Sequence, residues 1–428
     1  MLKGQFPVEK FASLRTPFYY YDLPLLRRTL DKIRECIEPY PQFHVHYAVK
    51  ANFNGRILQE ISRCGFGADC VSGGEIRAAL QNGFAPESIV YAGVGKSDEE
   101  ILLALDAGIA RFNVESAAEL EVINELALSR GVVAPVSLRV NPDIGAHTHA
   151  NITTGLAENK FGINYEQLPG VIELADSLPG VEYKGLHFHI GSQILEMDDF
   201  VALCNRINVL AEQILRQRRG RLVPAASSAA AVGYSSSAVG SAGVSGSGVA
   251  AGVAGAAGVA ASVLGDINVG GGLGINYYHP NHLDVAEFSQ YFETFARHLK
   301  LPEGTPVHFE LGRSVVAPCG SLISRVLYIK EGTTRRFAII DASMTELIRP
   351  ALYKAYHRVE NISSYEPEEV YDVVGPVCES SDVFAKGVSI DKCHRGDFIA
   401  IRSAGAYGES MSSQYNCRPL PACFFKED

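Results

Sequence analysis

No two cysteines in this chain stand in C-x-x-C spacing, and the nine that occur are scattered and odd in number. That argues against a disulfide framework and a zinc ribbon, and it leads to the expectation of reduced thiols in a cytoplasmic protein. Long basic runs are missing too. Only Arg216–Arg221 is locally basic, and the net charge is −10, so nucleic acid is not expected as a partner. The N-terminal stretch M-L-K-G-Q-F-P lacks the apolar core of a secretory leader. One internal stretch, Leu222 to Gly265, has no charge at all and consists almost wholly of Ala, Gly, Ser and Val. It is too glycine-rich and too weakly hydrophobic for a membrane span, so no membrane partner is expected. It reads as a flexible insertion that buries little apolar surface.

What is present is a chain of 428 residues, 47% hydrophobic and 20% charged, long enough for a large core and two or three domains. Apolar runs predict strands over His44–Val49, Gly67–Cys70, Ser88–Ala92, Arg111–Val114, Val136–Asn141, Tyr183–His189, Asp266–Val269 and Val307–Leu311. Helical patterns separate most of them. Asp22 caps a helix with Leu26, Leu30, Ile33 and Ile37 on one face. Ser97…Glu100 and Ser116…Glu119 read as capping boxes. Phe200, Leu203, Ile207, Leu210 and Ile214 form the stripe of another helix.

Eight strands with helical crossovers is the count of a parallel (β/α)8 barrel, whereas a doubly wound sheet would seldom need eight units. Beyond residue 318 the texture changes. Short β-rich runs at Ser321–Ile329, Phe337–Asp341, Glu369–Val374 and Asp397–Ile401 read as a separate β domain. A strand over Thr16–Tyr21 is expected to join it. The fold class is therefore α/β, with a barrel over 25–318 and a β domain from 1–24 and 319–428. The insertion at 222–265 falls between a helix and the seventh barrel strand. That is the N-terminal face, opposite the rim where barrel active sites lie.

Reactive groups collect just after the predicted strands. Lys50 closes the stretch H-V-H-Y-A-V-K-A-N. As a lone residue it reads either as a strand cap pointing to water or as a desolvated amine that forms a Schiff base. The other strand ends carry Asp69, Arg139 and Asn141, then His187, His189 and Ser192, then Gly270-Gly271-Gly272, then Glu310 and Arg313. Together these types suit a phosphorylated aldehyde cofactor. The glycine loop allows close backbone approach to a phosphate. A carboxylate such as Glu310 can keep a pyridine nitrogen protonated, and the flat imidazole of His189 can stack on the ring.

A metal site is the rival, because H-x-H occurs at His44/His46, His147/His149 and His187/His189. Barrel hydrolases of that kind usually need an Asp after the eighth strand. Here Glu310-Leu311-Gly312-Arg313 places a repelling guanidinium instead, so no metal is expected.

Eight motifs occur in order: Y-A-V-K-A-N, G-A-D-C-V-S-G-G-E, K-F-G at Lys160–Gly162, H-F-H-I-G-S-Q, N-V-G-G-G-L-G, E-L-G-R, G-P-V-C-E-S and Y-N-C-R-P. In them, and over nearly the whole chain except Leu222–Gly265, the sequence resembles the fold-type III pyridoxal-phosphate decarboxylases, most closely the diaminopimelate-decarboxylating branch. The resemblance implies an alanine-racemase-like barrel with a β domain, working as a homodimer with shared active sites. It implies pyridoxal 5'-phosphate as cofactor, and conversion of the amino acid meso-2,6-diaminopimelate to L-lysine and carbon dioxide, the last step of lysine biosynthesis.

By the same resemblance Lys50 is the Schiff-base lysine, His189 stacks on the pyridine and Glu310 pairs with its nitrogen. Asp69, Ser192, Gly270, Gly271, Gly272, Leu311, Gly312 and Arg313 complete the cofactor site. Cys378, from the partner subunit, is the implied proton donor, and Glu379 recognises the distal amino group. Arg313, Arg349 and Tyr353 bind substrate carboxylate, and Tyr415 touches cofactor and substrate. Two departures stand beside functional side chains: Leu311 where relatives often have Pro, and Cys417 where they often have Ser. Function is expected to survive both.

Relatives acting on ornithine, arginine or carboxynorspermidine are the first alternative. They tend to carry C-D where this chain has Cys378-Glu379. A binding homologue without activity is the second, opposed by intact Lys50, His189 and Cys378. The end of the chain, Ala422–Asp428, is abrupt, which leaves the last strand of the β domain open.

Overall fold

The computed structural model describes residues 6–142, 160–222, 264–280, 282 and 285–427. The His147/His149 pair and nearly all of the Leu222–Gly265 insertion lie outside the described residues.

The first strand, β1 (Phe18–Asp22), leads into a helix over Leu23–Ile37. Asp22 caps that helix by accepting the Leu25 N–H at 2.9 Å. Its buried face is Leu26, Leu30 and Ile33, with Ile37 only partly covered. Then come β2 (Phe43–Ala48), β3 (Gly67–Cys70), β4 (Ile89–Tyr91), β5 (Arg111–Val114), β6 (Ala134–Arg139), β7 (Val181–His187), β8 (Asp266–Asn268) and β9 (Val307–Leu311). They close in chain order into a parallel barrel, with β2 bonded to both β3 and β9. Each predicted barrel strand lies within two residues of an observed one.

The helical stripe Phe200, Leu203, Ile207, Leu210 and Ile214 is wholly buried. Of the two expected capping boxes only Ser97 and Glu100 form both bonds. At Ser116 the Oγ accepts the Glu119 N–H at 3.2 Å. The Glu119 carboxylate turns away instead, to the Glu115 N–H at 2.7 Å and to the Lys96 ammonium at 2.5 Å. Lys96 is buried and needs a counter-charge more than the helix end needs a second cap.

The second sheet is built from β10 (Gly320–Glu331), β11 (Arg336–Ile340), β12 (Val359–Asn361), β13 (Glu368–Val374), β14 (Val383–Asp391), β15 (Phe398–Ile401) and β16 (Ala422–Lys426). The order is β12-β15-β10-β11-β13-β14, and β1 joins it antiparallel to β10 and parallel to β16. The terminal strand thus exists, and it lies beside the first. β12 and β14 carry little sequence signal. The former has three residues, and the latter is interrupted by Gly387 at φ +59°.

Along β9 the period of two separates chemistry from packing. Phe309 faces the helix over Val285–His298, with ring centroids 5.0 Å from Phe292 and 5.2 Å from Phe295, and it also meets Phe43 at 4.9 Å. Its neighbours His308 and Glu310 point into the barrel. Removing the Phe309 ring leaves a cavity in that cluster, so Phe309→Ala is expected to cost about 3–5 kcal/mol. The check is a lower urea midpoint at an unchanged slope.

Candidate active site

β2 runs straight into a short 3-10 turn, Val49–Ala51, which carries Lys50 to the C-terminal rim of the barrel. Gly312 packs on that turn. A Cβ there would lie 3.0 Å from the Ala48 Cβ and 3.1 Å from the Ala51 Cβ. Lys50 lines a cavity of about 570 Å³, together with Ser192, Tyr277, Arg313, Arg349 and Tyr353. Its ammonium is 3.8 Å from Asp69 Oδ2, and its side chain is 41% exposed, so it is neither a cap in open water nor sealed in the core. Burial pulls its pKa down, but Asp69, and after it Tyr407 and Glu310, outweigh that, and the net direction is up. Asp69 is buried, and neither carboxylate oxygen has a hydrogen-bond partner among the described residues. Burial and Glu310 raise its pKa while Lys50 opposes them.

Glu310 stands at the end of β9. His187 Nε2 lies 3.2 Å from Oε2, and Asn268 and Asn113 donate to Oε1 at 2.7 and 3.3 Å. Burial would push this carboxyl up, but His187, and after it Lys50, outweigh burial and hold it ionised below the ordinary carboxylate range. For His189, burial, Arg139 and Lys50 all work the other way and hold it well below the usual imidazole value, so its ring is neutral. Its Nδ1 accepts the Gly271 N–H at 3.4 Å, which leaves the proton on Nε2.

The glycine loop allows no side chain. Gly270 and Gly272 have φ of +74° and +111°. A Cβ on Gly271 would lie 1.9 Å from the Glu310 carbonyl oxygen, and one on Gly270 would lie 2.3 Å from that of Phe188. A lysine in a cavity, a buried carboxylate without hydrogen bonds, an ionised carboxylate and a bare backbone loop are what a phosphorylated aldehyde on a pyridine ring requires. The residues fit that group.

Arg313 and Arg349, expected to share a substrate carboxylate, both line the cavity and meet at one atom. Their Nη1 groups donate to Tyr277 Oη at 2.8 and 2.9 Å. Arg313 Nη2 also reaches Ser192 Oγ at 2.9 Å, and its guanidinium lies 4.9 Å from the Tyr407 ring centroid. Tyr277, Tyr407, Asn113 and Asn268 were not singled out from sequence, and His187 was noted there only as a strand-end group and a metal-ligand candidate, not as the partner of Glu310. Tyr277 follows the glycine loop in I-N-Y-Y, where nothing separates it from Tyr278, although Tyr278 is 66% exposed.

A second group of predicted residues sits apart. Cys378 and Glu379 are exposed. Tyr415 Oη donates to Glu379 Oε1 at 2.7 Å, and the Cys378 N–H donates to Asn416 Oδ1 at 3.3 Å. None of the three lines the Lys50 cavity. One chain brings them to one another but not to Lys50. Among the described residues, two members of the H-x-H pairs have ring nitrogens on other partners. His46 Nε2 meets His308 Nδ1 at 3.0 Å at the opposite end of the barrel, and His187 serves Glu310. Among the described residues no His, Cys, Asp and Glu cluster is arranged to hold a metal.

Residues 26–218 match the family model described as pyridoxal-dependent decarboxylase, pyridoxal binding domain. Over those residues, which include Lys50 and His189, the barrel resembles the pyridoxal-binding domain of a pyridoxal-dependent decarboxylase. A diaminopimelate decarboxylase of Bacteroides thetaiotaomicron is 54% identical over 427 residues, covering 100% of both chains. One from Zymomonas mobilis is 37% identical, covering 96% of this chain and 87% of its own. The crystal structure of the Helicobacter pylori diaminopimelate decarboxylase complexed with L-lysine has a TM-score of 0.81 at 35% identity, over 98% of this chain and 94% of that one. The chain belongs to the diaminopimelate decarboxylase family.

Gly271→Ala drives a methyl into the Glu310 carbonyl and is expected to weaken pyridoxal phosphate binding by about tenfold or more. Gly170→Ala, where a Cβ meets nothing within 4 Å, leaves binding unchanged. Titration of the cofactor into the two apo-variants compares them.

Proposed function

We propose that this chain removes one carboxylate of meso-2,6-diaminopimelate as carbon dioxide and releases L-lysine. The observation that carries the reading is the pair of buried guanidinia, Arg313 and Arg349, in the same cavity as Lys50. Two cations there suit a substrate that keeps a carboxylate at its far end. A substrate without a distal carboxylate gives Arg349 no anion to bind.

In this reading Lys50 is the amine that holds the cofactor aldehyde, and Glu310 faces the ring nitrogen as an ionised acceptor. His189 offers its neutral face to the ring. Ser192, Arg313 and the Gly270–Gly272 N–H groups hold the phosphate, with Asp69, Leu311 and Gly312 shaping the wall. Bound pyridoxal phosphate supplies an electron sink for the carbon that loses carbon dioxide. Arg313, Arg349 and Tyr353 orient the substrate through its distal carboxylate. Cys378 delivers the proton to the substrate carbon. Glu379 receives the distal amino group, and Tyr415, bonded to Glu379, touches cofactor and substrate.

Cys378, Glu379 and Tyr415 are exposed in the single chain, so we assign them to the site of a second copy. The working form is then a homodimer with shared sites. We divide each chain into a barrel over 25–318 and a β domain from 1–24 and 319–428. We place the enzyme in the cytoplasm, which the nine unpaired cysteines support. Among the described residues no helix is long and apolar enough to cross a membrane.

Lys50→Ala is expected to abolish turnover and the absorbance of lysine-bound cofactor; an active, yellow variant would overturn the assignment. Shared sites have their own test. Lys50→Ala and Cys378→Ala are each expected to be inactive alone, and co-expression is expected to restore activity through mixed dimers with one intact site. Mixed dimers that stay inactive would put Cys378 in its own subunit's site.

A further inference from the structure

The two guanidinia of the carboxylate pocket carry like charges and still face each other across a single oxygen. Tyr277 Oη accepts from Nη1 of Arg313 at 2.8 Å and from Nη1 of Arg349 at 2.9 Å. Burial alone would raise the pKa of that phenol, but the two arginines outweigh it and pull it below the ordinary tyrosine value. For Arg349, burial and Arg313 disfavour the charge, and Tyr277 opposes them. A neutral, apolar side chain at 277 would leave the two cations facing each other with nothing between them.

Arg349 has a second fixed partner. Its Nη1 also lies 2.8 Å from His357 Nε2. The other ring nitrogen, Nδ1, is 2.9 Å from the Arg402 carbonyl oxygen. A carbonyl can only accept, so Nδ1 carries the proton and Nε2 is left as the acceptor for Arg349. Burial and Arg349 push the His357 pKa down to about 3, so it stays neutral and keeps that acceptor. Both Nη1 hydrogens of Arg349 are thus spent on neighbours. Its Nη2 and Nε have no protein partner among the described residues, and Arg349 lines the cavity. The result is a guanidinium rotated so that one edge is tied back and the other edge faces the cavity, the geometry a bidentate carboxylate needs.

We propose that Tyr277 and His357 are positioning residues that set selectivity for a ligand with a distal carboxylate. Tyr277 comes from the barrel segment after β8, and His357 from the segment between β11 and β12. The pocket is therefore sized across the joint between barrel and second sheet. This rests on the reading of Arg313 and Arg349 as the carboxylate site.

L-lysine and 1,5-diaminopentane differ only by the carboxylate, so they separate the two ideas. Each is used as an inhibitor of the holoenzyme acting on meso-2,6-diaminopimelate. In Tyr277→Phe and His357→Phe the inhibition constant for L-lysine is expected to rise about tenfold, the size of one lost hydrogen bond to a charged group, while that for 1,5-diaminopentane stays within about twofold. His357→Gln, which keeps a donor and an acceptor, is expected to recover most of the loss. Cofactor absorbance stays at the parent level throughout. Equal weakening of both inhibitors, or no change in either, overturns the proposal and leaves only a packing role. If Arg349→Ala itself leaves the ratio of the two inhibitors unchanged, the arginine site is wrong and the proposal falls with it. If Arg349→Ala collapses the ratio but the Tyr277 and His357 variants do not, the arginine site stands and the positioning role is wrong. Should Tyr277→Phe fail to fold, the His357→Phe and His357→Gln pair decides.

Discussion

A charge buried in the middle of a barrel has to be neutralised or bonded on all sides, and the Glu310 carboxylate is where this molecule meets that demand. Its partners come from three other strands: Asn113 from β5, His187 from β7 and Asn268 from β8. Barrel interiors are ordinarily filled by branched aliphatic side chains. Here the upper layer is polar because one ionised group must be held there. The consequences spread outward. Asn268 also accepts the Gly270 N–H through Oδ1 at 2.9 Å, which sets the start of the glycine loop. The Glu310 backbone in turn forbids a side chain at Gly271. Lys50, on the turn just after the neighbouring strand β2, feels the same negative charge.

The lower end of the barrel handles its polar groups differently. His46 and His308 are bonded to each other, and Asp266 lies 3.3 Å from His308 and 2.6 Å from Arg111. Every one of these groups is used by another, so the ladder closes the barrel floor and leaves the chemistry to the C-terminal rim. Histidine pairs on alternate strand positions are compatible with metal binding or with such a ladder. What separates the two is whether the nitrogens face an open space or one another.

The second sheet is more than an appendage to the barrel. The short helix Arg349–Tyr353 between β11 and β12 contributes Arg349 to the cavity, and the segment after β15 contributes Tyr407, whose N–H is bonded to the Ala51 carbonyl beside Lys50 at 2.8 Å. Buried contacts across the joint explain why a substrate pocket can be split between the two parts and still hold a fixed width. The strand β1 ties the assembly together, since it pairs with β10 on one side and with β16 at the far end of the chain on the other.

Strand periodicity and the order of motifs made the barrel and Lys50, His189 and Glu310 legible from sequence, because an apolar alternation and a reactive group at its end are local properties. The helix stripe from Phe200 to Ile214 is legible for the same reason. Tyr277 and His357 are not, because each is one of many aromatic residues until the fold aims it at a guanidinium. The half-formed capping box at Ser116 failed on the same ground, since Lys96 reaches Glu119 only when two turns of chain are packed together. The separation of Cys378 from Lys50 is likewise a matter of tertiary structure. Sequence by itself determined which groups could react and which strands would carry them. Only the folded chain decided which of those groups face the same cavity, because direction and distance between remote residues arise from packing and not from spacing along the chain.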